Sequence, residues 1–232
     1  MLCLISVKDD LNERPLENPN LFQGDIILPE MIGRNGVPTD AQKWPNGIVP
    51  YEIHNTKSES TDIIKKAIQH YNEHTCIRFK PRTNQKDYVV FNLNDHTGCS
   101  STVGRVTGSQ EINLGSGCNT MRHVVHEMMH AIGFWHEHSR SDRDKYVQIH
   151  YENIKEDYLH DFKALQPEEN RLFTTFDFDS VMLYGPTAFS KNGKVTMSSK
   201  IAGKQVKNPP HDQTLSQYDI QSINKLYQCK QH

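Results

Sequence analysis

The chain predicts an α+β fold behind a short extended arm, on three observations. Apolar residues recur at helical spacing in two separate segments, at Ile63, Ile64, Ala67, Ile68 and Tyr71 and again through residues 120–133. Short apolar runs of strand length lie between these segments. Residues 8–34 are instead polar and rich in asparagine and proline, with one apolar island at Leu21-Phe22 and Ile26-Ile27-Leu28, which suits an arm better than a core.

Globular patterning starts near Trp44. Ser60-Thr61-Asp62 supplies capping chemistry for a first helix running to about His74. Ile77-Arg78-Phe79 and Tyr88-Val89-Val90-Phe91-Asn92-Leu93 read as strands, the second apolar enough to be buried. Residues 101–106 and 111–114 are weaker strand candidates among glycines. A second helix begins near Thr120 and ends at Gly133, where a glycine can take the left-handed conformation that stops helices. Residues 150–163 predict a third helix, with Ile154, Tyr158, Leu159 and Phe162 on one side. Beyond Phe173 regular structure is hard to read until Ser216-Gln217-Tyr218-Asp219, a capping box opening a short helix with Ile220, Ile223 and Leu226 inward.

The 232 residues carry a formal charge of −2 and no basic run, so neither nucleic acid nor an acidic membrane surface is implied as a partner. No apolar stretch approaches the roughly 18 residues of a membrane span. Residues 1–7 are apolar and then give way to Lys8-Asp9-Asp10, like the tail of a signal peptide whose start is missing. Setting Cys3 aside with that segment leaves Cys76, Cys99, Cys118 and Cys229, for which three pairings are open. Two bridges would fit a secreted, oxidising setting, although no Asn-x-Ser/Thr sequon adds support.

Chemistry concentrates in His126-Glu127-Met128-Met129-His130-Ala131-Ile132-Gly133-Phe134-Trp135-His136. On a helix His126 and His130 lie one turn apart on the same face and can reach one metal ion. His136 can join them only if the helix stops at Gly133 and the chain turns back. In a chain of this composition the eleven-residue pattern arises by chance with odds on the order of 10⁻⁴. Three neutral imidazoles leave a zinc ion an open position for water, the arrangement of a catalytic site, and the zinc lowers that water's pKa towards ~7. Glu127 lies beside the ligands, placed to take the proton and pass it to a leaving amine. His123 and His138 fall outside the spacing and read as ordinary histidines.

This motif, continued by Glu137-His138-Ser139-Arg140, closely resembles that of the astacin family of zinc endopeptidases in the metzincin clan. Three further stretches carry the resemblance independently: Ser180-Val181-Met182-Leu183-Tyr184-Gly185 is similar to the family's Met-turn, Phe22-Gln23-Gly24-Asp25 to its inhibitory pro-segment motif, and Trp44-Pro45-Asn46-Gly47-Ile48-Val49-Pro50-Tyr51 to the start of its mature domain. The resemblance spans residues 20 to 229. It implies a zincin-like fold of two lobes, a twisted sheet with the active-site helix above and a more irregular lobe below, with an edge strand near residues 101–106 pairing to extended substrate. It implies one Zn²⁺ per chain on His126, His130 and His136, Glu127 as general base, and Tyr184 as a phenol that helps stabilise the oxyanion. Met182 becomes an apolar floor, and the disulfides become Cys76–Cys229 and Cys99–Cys118.

The resemblance also implies a secreted zymogen acting on protein or peptide substrates. Residues 1–7 would be the signal-like remnant, 8–34 an inhibitory pro-segment whose Asp25 occupies the metal only in the zymogen, and 35–232 the catalytic domain. An activating protease would cut near Arg34, and the new terminus at Asn35 would pair with Glu137. Two departures stand out: Leu183 replaces the histidine of many relatives, and the stretch 209–214 has no arginine of the kind linked to acidic substrate residues, leaving Lys204 and Lys207 as nearby cations. A catalytically silent zinc-containing secreted binding or toxin module is the rival reading, opposed by Glu127, which metal binding alone does not need.

Overall fold

The structure is a computed structural model that describes residues 13–28, 40–54, 58–93 and 98–230. The expected signal-like segment and the Arg34–Asn35 junction lie outside the described residues. A six-stranded sheet runs in the order β1 (Ile26–Ile27), β5 (Cys99–Thr102), β6 (Ser109–Leu114), β4 (Tyr88–Asn92), β2 (Ile48–His54), β3 (Arg78–Pro81). Only the β5–β6 pairing is antiparallel, with Ser100 opposite Asn113; β1, donated by the arm, lies parallel to β5 in the register Ile26 to Ser101. Helix α1 (Ser58–His74) crosses over between β2 and β3, and α2 (Met121–Ala131) follows β6.

Burial explains why these segments form. Ile64, Ala67, Ile68 and Tyr71 occupy one stripe of α1 and are all buried, as helical periodicity requires. Tyr71 donates to the Val125 carbonyl at 2.8 Å, and Trp44 Nε1 donates to the Ala131 carbonyl at 2.8 Å, so two buried aromatics fix the height of α2 over the sheet. Val89 and Phe91 on one face of β4 and Val90 on the other are all buried, matching a central parallel strand covered on both faces. Helix α1 already begins at Ser58, so Ser60-Thr61-Asp62 falls inside its first turn instead of preceding it.

Below Gly133 the chain is mostly irregular, with a two-stranded pair of β7 (Val147–Ile149) and β8 (Met197–Ser199) and the terminal helix α3 (Gln217–Leu226). The helix expected over residues 150–163 is absent. Two 3₁₀ segments, Tyr151–Asn153 and Glu156–Phe162, take its place. Lys155 between them is extended and donates its N–H to the Phe189 carbonyl, and Ile154 bridges to Ser190. Ile154, Tyr158 and Phe162 are buried as expected, but Leu159 is 37% exposed. A cross-chain backbone pairing thus won over local helix propensity. The edge strand expected over 101–106 also ends early, because Gly104 turns away at φ +75° and hands its N–H to the His130 carbonyl at 2.9 Å.

Two disulfides, Cys76–Cys229 and Cys99–Cys118, close the fold, the first tying the end of α1 to the segment after α3. The second joins the start of β5 to the approach of α2, the two elements that frame the cleft.

Candidate metal centre and active site

Helix α2 brings the first two histidines to the cleft floor. Thr120 caps it, accepting from the His123 N–H, and Gly133 at φ +109° ends it after Ile132. The chain then turns so that His136 faces back towards His126 and His130. All three rings are buried, and their Nε2 atoms converge: His136 Nε2 lies 3.2 Å from that of His126 and 3.2 Å from that of His130.

The second nitrogen of each ring settles what the first can do. His126 Nδ1 donates to the Val181 carbonyl at 2.8 Å, His130 Nδ1 to the Phe134 carbonyl at 2.7 Å, and His136 Nδ1 to Gln23 Oε1 at 2.7 Å. A neutral imidazole with its proton on Nδ1 presents a bare lone pair at Nε2. Burial keeps His126 neutral by lowering it to about 3, and burial likewise lowers His136. Three lone pairs therefore face one another and a carboxylate, since Asp25 Oδ2 stands 3.0 Å from His126 Nε2 and 3.1 Å from His136 Nε2, with Oδ1 3.6 Å from His130. Four acceptors pointed at one spot repel unless a cation sits between them. Nitrogens bound about 2.0–2.1 Å from a tetrahedral zinc stand roughly 3.3 Å apart, close to the separation found here. The donor set fits one zinc ion.

Glu127, next to the first ligand, is fully buried, and neither carboxylate oxygen has a hydrogen-bond partner among the described residues. Burial first, and then the charge of Asp25, pushes its carboxyl well above the ordinary range. Tyr184 reaches the same point from below. Its hydroxyl lies 2.7 Å from the Gln23 carbonyl, 3.0 Å from that of Leu16 and 3.1 Å from Asp25 Oδ2. The turn that carries it is held by α3, where Asp219 accepts from Ser180 Oγ and Val181 N–H as well as from the Ser216 N–H of its own capping box. Met182 is buried, and its carbonyl accepts from the Glu137 N–H.

The arm reaches the metal ligands by a tight reversal. Phe22 and Ile26 pair their backbones across the turn, with Gln23 and Gly24 both at positive φ. Phe22 packs edge-on against Trp135, and the Gln23 N–H donates to Asp161 Oδ1 at 2.8 Å. Glu137 is half-buried, accepting from Arg140 Nη1 at 3.1 Å and from the Asp177 N–H at 2.7 Å, and its loss of solvent raises it to about 8. Beside it lies a cavity of about 60 Å³ lined in part by Phe134, Arg140 and Phe173.

Some residues of the site carried no role in the sequence. Gln23 was legible only as part of the Phe22–Asp25 stretch. Arg122, one turn before His126 on the same face of α2, is 8% exposed and walls a cavity of about 290 Å³ between arm and body; no pattern marked it. Its Nη1 donates to His123 Nε2 at 2.9 Å, and burial with the Arg122 charge lowers His123 to about 3. His123 and His138, outside the ligand spacing, are both buried; His138 stacks on His136 at 5.3 Å between ring centres. Lys204 and Lys207 lie together at a separate surface pocket beside Phe178 and Asp179.

Comparison with known proteins agrees with this geometry. A family model described as Astacin, a peptidase family, matches residues 36–228. The chain is 41% identical over 226 residues to astacin-like metalloprotease toxin 1 of Loxosceles intermedia, covering 94% of this chain and 85% of that protein. It is 36% identical over 253 residues to the low choriolytic enzyme of Oryzias latipes, covering 97% and 89% respectively. Against zinc metalloproteinase nas-7 of Caenorhabditis elegans the identity is 39%, and the match spans 56% of that longer protein. Among solved structures, high choriolytic enzyme 1, a hatching-enzyme zinc protease from Oryzias latipes, superposes with a TM-score of 0.72 at 37% identity, over 81% of this chain and 94% of that one.

Proposed function

The chain belongs to the astacin family of zinc-dependent endopeptidases, and from that premise we propose a secreted zymogen in which the arm, residues 8–34, silences the catalytic domain, residues 35–232, through Asp25. The observation that carries the latch is the position of Asp25, whose carboxylate fills the space beside three convergent Nε2 atoms that a substrate's scissile group would need.

A bound zinc supplies an electrophile for the scissile carbonyl and an acidified water. The protein's own part begins with Glu127. Its carboxylate, one residue from His126 and free of competing hydrogen bonds, accepts a proton and returns it to the departing amine. Burial and then the charge of Asp25 both push the Glu127 carboxyl up in the latched chain, and departure of Asp25 removes the second of these. Tyr184, now committed to carbonyls of the arm, is released to donate its hydroxyl to the developing negative charge on the scissile oxygen. Met182 serves as packing below the ligands. Substrates are proteins or peptides in extended form, pairing along the β5 edge that β1 now covers.

Activation is read as cleavage near Arg34. The new amino terminus at Asn35 then enters the cavity beside Glu137, where an ammonium would join Arg140 as a second cation for that half-buried carboxylate. No helix among the described residues is long and apolar enough to cross a membrane, and the two disulfides favour an extracellular setting.

The test compares hydrolysis of an unfolded protein by the full chain, by the chain cut after Arg34, and by the cut chain bearing Glu127→Ala, all with zinc. Activity is expected in the second alone, with Glu127→Ala reduced at least about 10²–10⁴-fold while its zinc content is unchanged. Equal activity of full and cut chains would overturn the latch, and an active Glu127→Ala would overturn the assigned base.

A further inference from the structure

The three metal ligands are not held alike. His126 and His130 give their Nδ1 protons to carbonyls of the catalytic body, Val181 and Phe134. His136 gives its proton to the arm, through Gln23 Oε1 at 2.7 Å. The arm thus touches both nitrogens of this ring, because Asp25 Oδ2 faces Nε2 at 3.1 Å. The His136 ring is fully buried and packs against both His138 and Tyr184, and its Nδ1 is bonded to Gln23 Oε1.

Gln23 is itself fixed at three polar points. Its N–H donates to Asp161, its carbonyl accepts from Tyr184, and its side-chain oxygen accepts from His136, with the residue 1% exposed. To reach this position its backbone takes φ +51°, a left-handed conformation unfavourable for a side-chain-bearing residue by about 1–2 kcal/mol. A plug needs only Asp25 at the ligands. The reach of the Gln23 side chain to the far nitrogen of a ligand ring is a contact that plugging does not need.

We propose that Gln23 is a positioning residue for the metal centre: the arm holds His136 in the one tautomer able to bind zinc, so the latched chain retains zinc more tightly than the chain without its arm. The proposal rests on the zinc-endopeptidase and latch reading above. A buried neutral imidazole with no acceptor at Nδ1 shifts its proton between nitrogens, and each molecule carrying it on Nε2 has lost a ligand. Acceptors of this kind are worth about 10–100-fold in metal affinity where they have been removed from other sites. The arm would then act first as an aid to loading and keeping the metal, and only second as a block.

The experiment measures zinc affinity of the full chain by competition with a chelator, for wild type, Gln23→Leu, Gln23→Glu and Phe22→Ala. Gln23→Leu is expected to lose about 10–100-fold, whereas Gln23→Glu, which keeps an acceptor oxygen, stays within about threefold of wild type. Phe22→Ala loosens the arm at Trp135 without touching His136 and is also expected to stay within about threefold. After cleavage near Arg34 and removal of the arm, all four proteins should share one weaker affinity. Nitrogen NMR of the zinc-free full chain supplies a signature that mere seating would not move: His136 protonated at Nδ1 in wild type, and a mixture of tautomers in Gln23→Leu. Wild-type affinity in Gln23→Leu overturns the proposal, and so does an equal loss in Phe22→Ala. A full chain that binds no zinc at all instead overturns the endopeptidase reading.

Discussion

Gly24 is a residue at which the proposed latch is exposed to a single change. A Cβ there would lie 2.1 Å from the Leu16 carbonyl oxygen and 2.9 Å from the Phe189 ring, at a φ of +88°. Gly24→Ala combines a backbone clash with left-handed strain of about 1–2 kcal/mol, enough alone to shift an arm-on equilibrium roughly tenfold. The full-length variant is expected to hydrolyse peptides without cleavage near Arg34, while its urea midpoint stays that of wild type, because the catalytic core is untouched. A silent Gly24→Ala full chain would contradict this. At this scale the sequence was most informative where chemistry demands a spacing: His126, His130 and His136 declare themselves by the helical turn and the glycine stop. It was least informative where a residue acts through a distant partner. Nothing local to Gln23 or Arg122 says that one meets His136 across 113 positions or that the other walls a cavity.

The elements show the same division. Helix α3 opens on a capping box written in four consecutive residues, and it forms where expected. Its further task, holding the Ser180–Gly185 turn through Asp219, depends on residues about 39 positions away and has no local signature. Asp219→Ala would orphan the Val181 and Ser216 N–H groups and is expected to destabilise the domain by about 2–4 kcal/mol; calorimetry of the full chain tests this, and a change near zero would mean the turn holds itself. The 150–163 segment failed as a helix because its backbone pairs elsewhere, at Lys155 with Phe189 and at Ile154 with Ser190, while its apolar positions were read correctly at Ile154, Tyr158 and Phe162. The disulfides act between elements. Loop-entropy scaling gives about 5 kcal/mol for Cys76–Cys229, separated by 153 positions, and about 3 kcal/mol for Cys99–Cys118, separated by 19. Replacing the Cys99–Cys118 pair by alanine should therefore lower unfolding free energy less than replacing Cys76–Cys229, measured by denaturant titration; the reverse order would show that the bridge framing the cleft matters more than loop length.

For the molecule as a whole, Glu137 makes stability depend on pH and, on the proposed activation, on processing. Burial raises its carboxyl to about 8 in the latched chain, from an ordinary value near 4.5. The folded state therefore keeps a proton that the unfolded chain releases, so this contribution is full below about pH 4.5 and is lost as pH rises through about 8. Glu137→Gln should flatten the decline in stability of the full chain between pH 5 and 8, while destabilising the cut chain, whose new ammonium would lack its anion. An unchanged slope in the full-chain variant would assign the pH dependence elsewhere. The arm's strand β1 adds a different kind of consequence. While covalently continuous, the arm meets the cleft at the effective concentration of a tethered segment, of order millimolar for a short tether. A single cut turns that unimolecular contact into a bimolecular one, and dilution then decides occupancy. On the proposed latch, silencing then requires only an intrinsic Kd well below that effective concentration, and the freed arm would be a weak inhibitor whose grip is lost on dilution.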